Sequence, residues 1–404
     1  MIRLLYTLAT FICGIGISLP AHSQTQPEAT NLEFTGSEAC EECHQNIYDR
    51  WKDTLMANVL VDVQEHPEAV LGDFSESNSL VTFTQEDIAF TYGSKWKQRY
   101  FTSIGDDYFV YPAQWDVLNE AWRRYYVELG TDWWAEHYPA DQMQRPTGPL
   151  CDGCHSTNYD VETKQVTEWN VGCEKCHGAG AEHINAPSNY NIVNPARLDS
   201  VRGNDVCIQC HSQGQPLENP LGQVYYDWPV GYQPGDQLSG YWRLEEHHLG
   251  ETTFTHWPEG SAHKNRMQGN DYVASSMYTK GVGCWDCHDA HGTEHNADLI
   301  RPANTVCGTC HGPNSLAGPR GDYLQHSHHN PENAQCVDCH MPQIARTISN
   351  VNVRSHTFRF IPPSETEMYG VPNACTNCHT DLTNESAAEA LGEWRNFSSW
   401  RVSP

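Results

Sequence analysis

The chain is short of the residues that build an ordinary hydrophobic core. Only 38% of its 404 residues are apolar in the widest sense, and only 11 are phenylalanine. So little Leu, Ile, Val and Phe would mark a disordered chain if nothing else filled the interior. Basic residues are scarce too: 24 Lys and Arg face 51 Asp and Glu, a formal charge of -27. That balance speaks against nucleic acid and anionic lipid as partners, because both carry the same sign of charge. Beyond Leu19 no segment is apolar and long enough to span a bilayer. Isolated cysteines are missing as well, since of 17 only Cys13 falls outside one repeated pattern. A disulfide scaffold does not fit that pattern, because cysteines three apart form strained, redox-active bridges.

What is there is C-x-x-C-H, eight times. The motifs run Cys40-Cys43-His44, Cys151-Cys154-His155, Cys173-Cys176-His177 and Cys207-Cys210-His211. They continue with Cys284-Cys287-His288, Cys307-Cys310-His311, Cys336-Cys339-His340 and Cys375-Cys378-His379. In this signature two cysteines add to the haem vinyl groups as thioethers and the histidine coordinates iron from one face. Structural zinc sites need cysteine pairs but no histidine after each pair. The expectation is therefore eight covalently bound haem c groups, whose porphyrins supply the core that the composition lacks.

Met1–Arg3, the apolar run Leu4–Leu19 and Ala21-His22-Ser23 read as a signal peptide, residues 1–23. An exported product follows, in the periplasm first of all, with the cell surface or exterior as alternatives. Residues 24–145 hold the first motif and an aromatic-rich β region; residues 146–404 hold the other seven motifs. Ile47–Val61 reads as an amphipathic helix. Leu80–Thr84, Ile88–Tyr92, Arg99–Ile104, Tyr108–Tyr111 and Tyr125–Leu129 read as strands of a small antiparallel sheet, among Trp96, Trp115, Trp122, Trp133 and Trp134. The interval from His211 to Cys284 reads as a loop-dominated insert. A closing helix is expected at Glu385–Arg395, with Asn384 as its cap. Val171-Gly172-Cys173 through His183 is echoed by Val282-Gly283-Cys284 through His295, an internal repeat of two-haem units.

A second imidazole on iron gives a low-spin centre suited to electron transfer. Of 22 histidines, eight close motifs and His22 lies in the leader, which leaves thirteen. His183 and His291 stand too close to their own motif to reach round the same iron, so each is expected to serve a neighbouring haem. His263 and His356 are further candidates, together with His326, His328 and His329, and one of the adjacent His247 and His248. His66, His137, His256 and His295 read as surface or propionate-bonding histidines. Met56 and Met277 are the thioether alternatives, which would raise a haem's potential.

The stretches GSEACEECH with Trp51, VGCEKCHGAGAEH, SSMYTKGVGCWDCHDAHG, HSHHNPENAQCVDCHMP, RSHTFRF and VPNACTNCH resemble exported multihaem cytochromes c. The similarity is to those related to hydroxylamine oxidoreductase and cytochrome c nitrite reductase. The resemblance implies a mainly α, loop-rich haem scaffold, here with the small β region between the first and second motifs. It also implies distal ligands at His183, His291, the His326–His329 cluster and His356. Two departures limit the transfer. Met56 stands where many relatives have a histidine after the first motif; no C-x-x-C-K motif of the nitrite reductase exists and no tyrosine can be assigned the cross-link of hydroxylamine oxidoreductase, so neither enzyme activity carries over. An electron carrier is the favoured expectation, with a basic or quinol-linked redox partner and an oligomer compatible with it. A reductase of a small nitrogen or sulfur compound at one open haem is the alternative, its lining drawn from His247–Arg266, and a subunit of a conductive filament is the third.

Overall fold

The organising secondary structure lies before the second motif. In the computed structural model, which describes residues 32–125, 146–217, 226–312, 327–330 and 332–394, five strands form an antiparallel sheet in sequence order. They are β1 (Leu60–Asp62), β2 (Phe90–Tyr92), β3 (Lys97–Ile104), β4 (Asp107–Asp116) and β5 (Ala121–Arg124). Successive strand residues point to opposite faces, yet Tyr100 and Phe101 are both buried, so both faces of the sheet are covered. One face meets Val63, Phe83, Ile88, Tyr111, Trp115 and Trp122 in an aromatic core. The other carries Leu60, Phe90, Phe101 and Val110, which pack toward Tyr92, Trp169 and Cys151 of the second motif. Register places Tyr92 opposite Arg99 on this second face, and Arg99 opposite Gln114 of β4.

Several expected elements come out differently. Leu80–Thr84 is no strand; it turns into a short 3-10 segment, Gln85–Asp87, capped by Thr84, while Leu80 and Val81 pack against the aromatic core. The helix α1 (Glu38–Trp51) carries the first motif and stops at Trp51 rather than running to Val61. Asn58 ends it: its amide donates to the carbonyls of Lys52 at 2.6 Å and Thr54 at 2.9 Å, taking acceptors that a continuing helix would use. The final helix is Asn384–Gly392, capped by Thr383, because Asn384 instead accepts from Asn373 Nδ2 at 3.0 Å. The strand expected beyond Tyr125, the leader 1–23, Trp133, Trp134, His137 and His326 lie outside the described residues.

"Mainly α" overstates the helix. α1 has 14 residues, and the other described helices have nine or fewer. Three two-stranded ladders accompany the sheet: Ser156–Thr157 with Glu168–Trp169, Gly214–Pro216 with Trp242–Leu244, and Gln343–Ile348 with Val351–Arg354. The insert between His211 and Cys284 is more than loop, since it buries Tyr226, Trp228, Tyr232, Leu238 and Trp242. Trp228 lies directly over Gly153 of the second motif, where any Cβ would strike the indole. Among the described residues no helix is long and apolar enough to cross a membrane.

Trp122 is the keystone of the aromatic face. Its ring meets Phe74, Phe83, Tyr100 and Trp115, and its Nε1 donates to Asp73 O at 2.8 Å. Trp122→Ala is expected to destabilise the protein by about 3–5 kcal/mol, read as a lowered denaturation midpoint of the haem-loaded chain. An unchanged midpoint would contradict this account of the core.

Candidate haem centres

The motifs are joined to one another by a recurring local device. Three residues before the first cysteine of motifs one, four and six stand Ser37, Asn204 and Asn304. Each accepts the backbone N–H of the first cysteine in a second motif: Cys173 on Ser37 Oγ at 2.8 Å, Cys284 on Asn204 Oδ1 at 2.9 Å and Cys336 on Asn304 Oδ1 at 2.8 Å. The same three pairs bring the thiols of Cys40 and Cys173, Cys207 and Cys284, and Cys307 and Cys336 into hydrogen-bonding contact. Sequence reasoning missed this; the signal was a Ser or Asn at that fixed offset. A fourth contact joins Cys154 to Cys210.

Weaker neighbours complete the series. Cys176 and Cys207, Cys287 and Cys310, and Cys339 and Cys375 lie near enough to influence each other electrostatically. Taken in order, motifs one, three, four, five, six, seven and eight form a line, and motif two branches from motif four. The start of the line is tied down by Glu174 of the third motif, which accepts from the backbone N–H groups of Thr35, Gly36 and Gly180 at 2.6–3.1 Å. Trp51 Nε1 donates to Val171 O at 3.0 Å alongside.

Four motif histidines each face one histidine from elsewhere in the chain. Ring centres are 6.4 Å apart for His44 and His183, and 6.2 Å for His177 and His291. They are 6.5 Å apart for His288 and His356, and 6.0 Å for His329 and His379. With a metal–nitrogen bond of about 2.0–2.1 Å, as in zinc–imidazole sites, and a ring centre roughly 1.1 Å behind its nitrogen, two imidazoles on one metal stand roughly 6.3 Å apart. The observed spacings fit that geometry. The far side of these rings fits as well. Nδ1 bonds to Val193 O at 2.7 Å in His177, to Ala297 O at 2.8 Å in His288, to Ser327 O at 2.6 Å in His329 and to Arg354 O at 3.2 Å in His356. In His183 it meets Ser188 O and Asn191 Oδ1, both at 3.1 Å, and in His291 it meets Asp289 Oδ1 at 2.7 Å. A committed Nδ1–H fixes the tautomer and leaves Nε2 with its lone pair free for iron.

His155 is different. Its Nε2 is hydrogen-bonded to the Tyr92 hydroxyl, with the rings edge to face at 4.6 Å. Burial, then Arg266 and Arg99, with His211 and Lys175, push its imidazole down to about 3, so the ring is neutral, the form that binds iron. Burial also keeps the Tyr92 phenol protonated well above its usual range. Arg99 lies over the Tyr125 ring at 4.3 Å. Arg266 pairs with buried Asp227 at 2.7 Å. Lys97 sits beside Arg99 and Lys264, where burial first and those two cations next hold its amine well below the usual lysine range.

The remaining candidates fall elsewhere. His247 faces His256 at 5.3 Å, with Nε2 bonded to Glu251 O at 3.3 Å; His248 is exposed. His263 lies against Trp257 at 4.4 Å and His328 against Trp394 at 4.6 Å. His295, the repeat's counterpart of His183, lies beside Glu294 at 3.9 Å. Opposite His44 stands His183 rather than Met56, whose carbonyl accepts from Val171 N at 3.1 Å. Met277 is half-buried on the short helix Ser276–Thr279. Among the described residues no cluster of three or more His, Cys, Asp or Glu could hold a bare metal ion, and no two of the sixteen motif cysteines are joined in a disulfide. Two cysteines followed by a histidine whose partner ring stands about 6 Å away are the donor set of haem c.

Comparison with known proteins agrees. Residues 39–86 and 130–178 match the family described as cytochrome c554 and c-prime, and residues 277–316 match the doubled CXXCH motif. No curated protein matches in sequence. Among solved structures, the outer cell wall cytochrome OcwA has a TM-score of 0.71 at 22% identity, over 90% of this chain and 87% of that one. The undecahaem cytochrome from the S-layer of Carboxydothermus ferrireducens has a TM-score of 0.50 at 18% identity, over 89% of this chain and 60% of that one. At these identities the likeness is one of fold.

His183→Ala is expected to convert one low-spin iron of the haem-loaded protein to high spin, counted by electron paramagnetic resonance. Met56→Ala is expected to leave the spin count unchanged. The reverse pattern would return the first haem to methionine.

Proposed function

We propose that this chain, a multihaem cytochrome c that binds haem covalently through its C-x-x-C-H motifs, conducts electrons along eight haems arranged as a branched line. The observation that carries the reading is the unbroken series of neighbouring motif cysteines. Thioether sulfurs sit at haem edges, so motifs whose cysteines lie side by side would hold their haems close together. The four facing histidine pairs add support, because bis-histidine iron is low-spin and changes oxidation state without exchanging ligands. The chain's own work is ligation, spacing and tuning of potential, while the cofactors carry the redox chemistry. Export fits the leader-like start, and the cell wall and S-layer names of the two structural neighbours favour a place at the cell surface over the periplasm. The charge of -27 favours a partner with a basic docking face.

A second reading is favoured at one centre only. The Tyr92 hydroxyl, rather than a histidine, meets His155 on its Nε2 side, and a haem bound at His155 would replace that hydrogen bond and leave Tyr92, Arg99 and Arg266 near its open face. Hydroxyl and guanidinium donors suit a small oxyanion of nitrogen or sulfur, so this branch is the place for a reductase activity fed by the line.

Intact-mass measurement should count eight haems on the mature protein. Spin analysis of the oxidised protein then separates the readings: a single high-spin centre, lost or shifted in Tyr92→Phe, supports the open branch. Eight low-spin centres leave a carrier alone, and fewer than eight haems would break the proposed line.

A further inference from the structure

Six histidines of the four facing pairs commit Nδ1 to a neighbour, and five of them meet neutral oxygen from a carbonyl or an amide. His291 alone meets a carboxylate, Asp289 Oδ1 at 2.7 Å. The difference is chemical. A carboxylate draws the Nδ1 proton toward itself, gives the imidazole partial imidazolate character and raises its basicity as a ligand. A more basic axial ligand stabilises the more positive iron, which lowers the reduction potential.

Asp289 is not a loose surface acid. Oδ1 also accepts the backbone N–H of His291 at 3.0 Å, and Oδ2 accepts from Arg50 Nη1 at 2.8 Å. Arg50 Nη1 donates in turn to Gly292 O at 2.7 Å. Gly292 has φ +92°, and a Cβ there would stand 2.8 Å from the Arg50 carbonyl oxygen. The loop carrying Asp289 and His291 is thus pressed against the end of α1, the helix of the first motif. Arg50 and Asp289 are 41% and 29% exposed, and an ion pair so open to water contributes little stability by itself. What it does is take part of the carboxylate's charge, while the His291 backbone N–H holds Oδ1 beside the ring.

We propose that Asp289, with part of its charge taken by Arg50, sets the reduction potential of the haem attached at Cys173 and Cys176 below those of the centres whose histidines bond to neutral oxygens. The proposal rests on the reading that His177 and His291 share that haem. This centre is second in the line, between the first and fourth motifs. Arg50 modulates it: its guanidinium takes part of the carboxylate's charge, so less reaches His291.

The test is a potentiometric titration of the full haem-loaded protein followed optically and by electron paramagnetic resonance, with Asp289→Asn and Arg50→Gln. Asp289→Asn should raise the potential of one low-spin centre. A tenfold loss of preference for ferric over ferrous iron, the lower end of what outer-shell partners contribute, corresponds to about 59 mV for one electron. Arg50→Gln frees the carboxylate for His291 and should lower the same centre. Opposite signs at one centre, with the low-spin count intact, support the proposal. No shift in Asp289→Asn, shifts of the same sign, or a change of spin state in either variant overturns it. His291→Ala separates the underlying reading: if the low-spin count does not fall by one, the ligand pair itself is wrong, whatever Asp289 does.

Discussion

Imidazoles whose ring centres are 6.0–6.5 Å apart and whose Nδ1 atoms are turned outward onto carbonyls and a carboxylate do not hold each other. Two rings at that spacing suit one metal between them, and on the proposed ligation the fold depends on that shared cofactor. Apolar residues are too few for seven motifs to pack on one another as protein. The helices that carry motifs are mostly single turns, such as Cys173–His177 and Cys336–His340, too short to persist on propensity. The largest hydrophobic assembly among the described residues is the aromatic sheet, and even there the second face is spent on the second motif.

Because the cofactor supplies the bulk, the protein's hydrogen bonds are left to fix position rather than to build layers. Ser37, Asn204 and Asn304 show this best. Each accepts one cysteine N–H and thereby links two motifs, while Ser37 also donates to Glu168 Oε1 at 2.7 Å and Asn204 to Val282 O at 3.1 Å. Asn204 is wholly buried, so its amide and the groups it meets would be costly to leave unpaired. Asp271 does similar work at longer range. Its oxygens accept from Ala262 N at 2.8 Å, Ser355 Oγ at 2.7 Å and His356 N at 2.9 Å, which fixes the loop that turns His356 toward His288.

The sequence made the attachment sites plain because two thioethers and a ligand demand a contiguous spacing. Distal partners carry no such spacing, and their assignment depended on reach. His183 and His291 could be reasoned to a neighbour because six and three residues do not stretch around a porphyrin. The internal repeat, by contrast, misleads at this point: it aligns His183 with His295, while the structure turns His291, four residues earlier, toward a motif histidine. Met56 drew notice because it fills a position where relatives carry histidine, yet only the tertiary contact between motifs one and three brings His183 to His44. The strand expected at Leu80–Thr84 and the overlong first helix failed for a local reason, since Thr84 and Asn58 bond to nearby backbone and end the regular pattern. The cationic surroundings of His155 were hidden altogether, as Arg99, Lys175 and Arg266 come from three distant segments.

Charge then distinguishes two regions of the molecule. A chain with a formal charge of -27 places Arg99, Lys175 and Arg266 at the branch, beside a neutral histidine and a protonated tyrosine. Positive charge near iron favours the reduced state and draws anions. At the other region, on the line, a carboxylate behind His291 favours the oxidised state. With effective dielectric constants far below that of water in such partly buried settings, both influences act over the distance of one haem. On the proposed ligation they have the same consequence: an electron entering the line at the first or third motif would lose free energy in reaching the second. Direction would therefore be written in the placement of a few ionised side chains around cofactors that are chemically alike.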